Sequence, residues 1–140
     1  MKGYYVVLFI ILVVTFWVKL QYPKWKGRSG EKFVSKMLLQ LDAAHYRVID
    51  NLLLPSSGNT ATTQIDHVVV SNYGIFCIET KNYEGWIFGN ARQEYWTQVI
   101  YRRKERFYNP LRQNYAHIKA VEALVSPLFP AAPIVGFVAF

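Results

Sequence analysis

From Tyr4 to Leu20 the chain reads YYVVLFIILVVTFWVKL, with no charge before Lys19. As a helix this run is roughly 25 Å long at 1.5 Å per residue, a little short of a hydrocarbon core of about 30 Å. Lys19 is therefore expected to snorkel to the interface. No small-residue cleavage site follows; the next residues, QYPKWKGR, are bulky and basic, which favours an uncleaved anchor over a removable leader. Lys2 precedes the run, whereas Lys19, Lys24, Lys26, Arg28, Lys32 and Lys36 follow it, so the positive-inside rule places the remainder in the cytoplasm. The expected organisation is a transmembrane anchor over residues 1–20, a basic juxtamembrane linker over 21–26 with Pro23 and Trp25, and one folded domain over 27–140.

The folded part is the size of a single domain with a real core. Its aromatic-rich composition, with ten Tyr, nine Phe and four Trp, excludes a disordered chain. A net charge of +7 points to a polyanionic partner, either nucleic acid or an acidic membrane surface. Cys77 is the single cysteine, so no internal disulfide forms, and a reducing compartment is the simpler expectation.

Ser29 reads as the N-cap of a first helix, with Phe33, Val34, Met37, Leu38 and Leu41 at helical spacing. A strand follows from Tyr46 to Leu54, and Pro55 to Asn59 is a loop. Gln64 to Val70 and Gly74 to Lys81 are strands joined by a turn at Ser71, Asn72 and Tyr73. Trp86 to Phe88 and Glu94 to Tyr101 add two more, and the basic stretch Arg102 to Arg106 reads as a hairpin tip before Phe107 and Tyr108. Asn109-Pro110 opens a second helix, whose expected apolar stripe is Leu111, Tyr115, Ile118, Val121, Leu124 and Val125. Ile134 to Phe140 is a last strand. Helix, strands, helix, strand predicts an α/β or α+β domain with one mixed central sheet flanked by helices.

The central hairpin carries chemistry. A turn that pairs Val70 with Ile75 and Val68 with Cys77 puts Asp66 opposite Glu79 on one face, with Cβ atoms about 5 Å apart. A register shifted by one would instead oppose Asp66 to Ile78 or Thr80. At about 5 Å and an effective dielectric near 20, two carboxylates repel by roughly 3 kcal/mol, a cost that a divalent cation removes. Lys81 continues the face beyond Glu79. Glu79 and Lys81 taken alone are equally explained by a solvated ion pair worth under about 1 kcal/mol; Asp66 on the neighbouring strand is what favours a site.

With Asp66, Glu79 and Lys81 in view, the chain resembles the nuclease-related domain (NERD) family of the restriction-endonuclease-like superfamily, marked by a D…(D/E)xK site. The matching segments, in order, are GRSGE from Gly27, IDH from Ile65, IETKNY from Ile78, GWIFG from Gly85, YWTQ from Tyr95, and NPLRQN from Asn109 with His117. The resemblance implies a restriction-endonuclease-like core and hydrolysis of phosphodiester bonds, with DNA the expected substrate and Mg²⁺ or Mn²⁺ the cofactor. It implies that Asp66, Glu79 and the backbone carbonyl of Thr80 hold the metal, and that Lys81 positions the attacking water. Glu31 would complete the metal shell through water, and Gln113 would shape the site. The Thr80 side chain is expected to face away.

Arg102, Arg103, Lys104 and Arg106, interleaved with aromatics, are candidate nucleic-acid contacts, with a solvated turn or anionic lipid as the rival readings. His67 is expected to be a core or supporting histidine, and His45 and His117 surface or packing residues, His117 being within reach of the site. Trp86, Phe88 and Trp96 are expected in the core, as is Cys77. Two functions follow: a membrane-anchored metal-dependent nuclease, or a nucleic-acid-binding or scaffold module with little turnover. Oligomeric state is not legible.

Overall fold

A computed structural model describes residues 2–56 and 62–140, with side chains from residues 5–22, 26–56 and 62–140. Helix α1 (Lys2–Leu38) is followed by strands β1 (Tyr46–Pro55), β2 (Thr62–Ser71), β3 (Gly74–Thr80), β4 (Trp86–Phe88), β5 (Tyr95–Ile100) and β6 (Arg103–Tyr108), then helix α2 (Pro110–Val125) and strand β7 (Ile134–Ala139). The loop expected at Pro55 to Asn59 lies, from residue 57 onward, outside the described residues.

The fold is α+β, with a mixed four-stranded sheet in the order β1-β2-β3-β7. β1, β2 and β3 are antiparallel neighbours, and β7 returns parallel to β3 after the α2 crossover. A second, antiparallel sheet, β4-β5-β6, corrects the expectation of one sheet. Arg103 to Arg106 lie on β6, so the hairpin tip is Tyr101-Arg102 and not the whole basic stretch. Tyr101 holds a positive φ of 54° at this tip and is 99% exposed.

α1 corrects a second expectation. It runs unbroken through residues 21–26, so Ser29 is an interior helical residue and not a cap. Once the apolar run has nucleated a helix, each further residue except Pro23, which has no N–H, adds a hydrogen bond for the one residue it fixes. Over its 37 residues α1 is about 55 Å long at 1.5 Å per residue. Its N-terminal part is apolar and long enough to cross a membrane, and none of that window is buried in the protein.

Gly30 lets α1 approach the β3–β4 loop. A Cβ there would stand 2.6 Å from the Asn82 Cβ, and the same Asn82 donates from Nδ2 to the Lys26 carbonyl at 2.8 Å. Lys26 also pairs with Glu84 at 2.8 Å.

The core lies between the four-stranded sheet and α2: Leu54, Ile65, Val68, Ile75, Cys77, Ala120 and Val121. α2 starts at Pro110 as the sequence predicts, and Asn109 caps it, its side chain accepting from Leu111 N. The buried face of α2 differs from the expected stripe. Val121 is buried, with Ile118 and Val125 partly so, but Leu111, Tyr115 and Leu124 are exposed, and Asn114 and His117 are buried in their place. Polar residues face inward because the sheet offers them partners. Asn114 Nδ2 donates to the carbonyls of Cys77 (3.2 Å) and Phe137 (2.7 Å), tying α2 to β3 and β7. A side chain at Gly136 would put its Cβ 2.8 Å from that nitrogen. Trp86 and Phe88 are exposed, contrary to expectation, because the small second sheet has an open face; Trp96 stacks on Phe140 at 6.2 Å.

Candidate active site

Asn72 and Tyr73 form the two-residue turn of the central hairpin, and the ladder pairs Val70 with Ile75, Val68 with Cys77 and His67 with Ile78. The expected register therefore holds, and Asp66 and Glu79 stand one rung beyond its last pair. On the other side of β2 the β1 ladder omits the Asn51–Asp66 rung, where Asn51 has a positive φ of 54°. There the Asp66 carboxylate turns to the backbone of the third strand: Thr80 N–H donates to Oδ2 at 2.8 Å.

Glu79 is buried, at 2% exposure. A buried carboxylate is tolerated only with partners, and both of its oxygens have one. Lys81 Nζ donates to Oε1 at 2.5 Å, and His117 Nε2 lies 3.0 Å from Oε2. Since a carboxylate only accepts, His117 Nε2 carries a proton, and Nδ1 lies 2.9 Å from the Thr63 hydroxyl. Lys81 Nζ also donates to Gln113 Oε1 at 3.0 Å. The Glu79–Lys81 pair is thus one edge of a part-buried network from β2, β3 and α2, and not a solvated surface pair.

Burial alone would raise the Glu79 carboxyl, but the His117 and Lys81 hydrogen bonds and charges outweigh it and hold it below the usual range. Asp66 moves the other way. Burial raises it, the Thr80 N–H opposes that rise, and the charges of Glu79 and Glu31 push it higher against Lys81. Asp66 is thus the carboxyl of the site that is held above its usual range, chiefly by burial. Cys77, on the same strand, has its thiol pushed up to about 11 by burial, which makes it a protonated apolar filler at neutral pH.

The structure brings together Asp66, Glu79, Lys81 and Gln113, with Glu31 acting on Asp66 through its charge. It leaves Arg102, Arg103, Lys104 and Arg106 on or beside the exposed β6, where Arg103 pairs with Glu105 and Arg106 sits 4.9 Å over the Tyr95 ring. His117 is a partner of the site and not a surface residue; its place one turn after Gln113 on α2 was the signal available in the sequence. Thr63 carried no such signal. The Thr80 hydroxyl is buried with no hydrogen-bond partner among the described residues. No group of three or more His, Cys, Asp or Glu residues is placed to hold a metal among the described residues. The available donor set is Asp66, Glu79 and backbone carbonyl oxygen.

His67, 1% exposed, is the core histidine expected. Its Nδ1 donates to Asp50 Oδ1 at 2.7 Å, and Ser35 from α1 donates to the other oxygen. Burial works against ionisation of Asp50, but the His67 and Ser35 hydrogen bonds and the His67 charge hold its carboxyl below the usual value. Stabilisation from a depressed carboxyl is present above its unfolded value near 3.9 and is lost as pH falls through the folded one. Asp50→Asn is expected to cost about 1 kcal/mol at pH 7, allowing for partial exposure, with the gap closing below about pH 4. Urea midpoints at pH 7 and pH 3.5 check this; a pH-independent gap contradicts it.

A mixed sheet with an acid on β2, an acid on β3 with a lysine just beyond its end, and a glutamine on the crossover helix defines a nuclease-related α+β domain. The family model for the nuclease-related domain (NERD) matches residues 26–140, and the chain belongs to that family. An uncharacterized protein of Bacillus anthracis is 48% identical over 120 residues, covering 86% of this chain and 56% of that protein. The chain thus spans little more than half the length of that relative. No solved structure matches.

Proposed function

We propose that the chain is a membrane-anchored nuclease that uses Mg²⁺ or Mn²⁺ to hydrolyse phosphodiester bonds, with DNA the expected substrate. The observation that carries this reading is the convergence of Asp66, Glu79, Lys81 and Gln113 at one end of the central hairpin. The donor set fits a hard divalent cation. Asp66 has an oxygen beyond the one that accepts from Thr80, Glu79 adds a second carboxylate, and the Thr80 carbonyl is the third ligand. Such cations keep several waters and need no third acidic side chain. Bound there, the cation would supply Lewis acidity to the phosphate and to a water.

The chain's own residues do the rest. Lys81 has three donors, of which Glu79 and Gln113 take two, leaving one for a phosphate oxygen or the attacking water. The Thr63–His117–Glu79 chain holds the carboxylate in one rotamer, and Gln113 holds Nζ over the strand end. Arg102, Arg103, Lys104 and Arg106 are proposed to contact the nucleic-acid backbone away from the reacting bond. Because α1 is continuous, Glu31 sits roughly 16 Å along the helix from Leu20 at 1.5 Å per residue. The site is therefore tethered near the bilayer and works on nucleic acid brought to it. The excess of Lys and Arg after the apolar run favours the cytoplasmic side.

A second reading, a binding or scaffold module with little turnover, is favoured by one observation: both Glu79 oxygens are already engaged by Lys81 and His117. Incubating the full chain in detergent with single- and double-stranded DNA and with RNA separates the two. Cleavage in Mg²⁺ or Mn²⁺, abolished by EDTA and by Asp66→Ala, is expected; salt-sensitive binding without cleavage under any metal leaves the scaffold reading.

A further inference from the structure

Between α1 and the β1–β2 ladder lies a cavity of about 380 Å³. Arg28, Glu31, Lys32 and Ser35 line it from the helix, and Asp50 and His67 from the sheet. The four helix residues are spaced three, four and seven apart, so they form one stripe. Of the expected apolar stripe on α1, Val34 and Leu38 are partly buried, whereas Phe33, 65% exposed, and Met37, 55% exposed, are not. Every residue lining the cavity is polar or charged, which suits a polar occupant.

We propose that this cavity is a phosphate-binding subsite for the nucleic-acid strand, with Arg28 and Lys32 holding a phosphodiester flanking the one that is cut. Neither cation makes an ion pair among the described residues, whereas Asp50 is engaged by both His67 and Ser35. The excess of unpaired charge on the helix is therefore positive. His67 Nε2 is buried without a hydrogen-bond partner among the described residues, and the ring is pinned from its other nitrogen by Asp50. The lining, all of it polar or charged, suits a charged, hydrogen-bonding ligand and not an apolar one. Glu31 lines the cavity and its charge reaches Asp66, which places the subsite beside the proposed reacting centre and favours a nucleic-acid strand over a lipid headgroup.

The proposal rests on the nuclease reading, but its test is independent of turnover. The full chain in nanodiscs of zwitterionic lipid is titrated with a fluorescent single-stranded oligonucleotide in EDTA, over a range of salt. Arg28→Gln/Lys32→Gln is expected to weaken binding roughly tenfold and to lower the salt slope by roughly 0.7, the value for one lost phosphate contact on a single strand. Arg28→Lys is expected to retain most of the affinity. Lys36→Gln, which removes a charge from the same helix outside the cavity, is expected to leave the slope unchanged. A double variant with unaltered affinity and slope overturns this proposal alone. No binding by the unaltered chain at low salt overturns the nuclease reading with it. If the double variant instead loses only its affinity for a soluble short-chain phosphatidylglycerol, the cavity is a lipid site and the proposal fails.

Discussion

Lys81→Ala is expected to reduce metal-dependent cleavage by about 10²–10³-fold while changing oligonucleotide affinity no more than a few-fold. That is the usual magnitude for removing one preorganised donor aimed at developing charge. The ammonium is placed by two acceptors, Glu79 Oε1 at 2.5 Å and Gln113 Oε1 at 3.0 Å, which leaves a third donor for the proposed phosphate. Lys81→Arg is expected to rescue little, because a planar guanidinium cannot replace a compact ammonium between those two oxygens. Single-turnover cleavage at saturating enzyme, with binding measured separately in EDTA, distinguishes the outcomes. Equal losses of binding and cleavage would make Lys81 a docking residue.

The second large effect is on stability. His117→Ala is expected to destabilise the domain by about 3 kcal/mol, because it leaves the buried Glu79 Oε2 without a donor. Thr63, whose hydroxyl bonds the same ring, loses its partner as well. If the cost comes from an uncompensated charge, Glu79→Gln in the His117→Ala background recovers part of it, and the two substitutions are strongly non-additive. Urea unfolding of the four proteins of this cycle gives the coupling. Additive losses would assign the His117 effect to packing alone.

The sequence revealed the hairpin and concealed the helix faces, and one physical cause explains both. Asn72-Tyr73 is a short turn between alternating apolar strands, so the pairing of Val70 with Ile75 follows from period-two geometry, and it carries Asp66 to Glu79. The helices were read from apolar spacing, which assumes that inward-facing residues are hydrophobic. That assumption fails beside a polar site. On α2, Asn114 and His117 face inward to reach carbonyls and a carboxylate, displacing Leu111 and Tyr115 to solvent. On α1, Arg28, Glu31, Lys32 and Ser35 face the cavity while Phe33 and Met37 do not.

The second sheet escaped notice as a separate unit for a different reason. β4 has only three residues, and its Trp86 and Phe88 are exposed, so their aromatic character misled the burial expectation. The anchor was visible from hydropathy, but its continuity into the domain was not. Residues 21–26 contain Pro23 and carry basic charge, which reads locally as a break. Helical hydrogen bonding carried through from both sides overrides that local signal.

Mn²⁺ titration of the full chain, read by the loss of the free-ion paramagnetic resonance signal in the absence of nucleic acid, tests the central claim most directly. Saturable binding by the unaltered chain is expected, with at least about tenfold weaker binding by Asp66→Ala, which removes a proposed metal ligand. Equal Mn²⁺ affinity in the two proteins would contradict it.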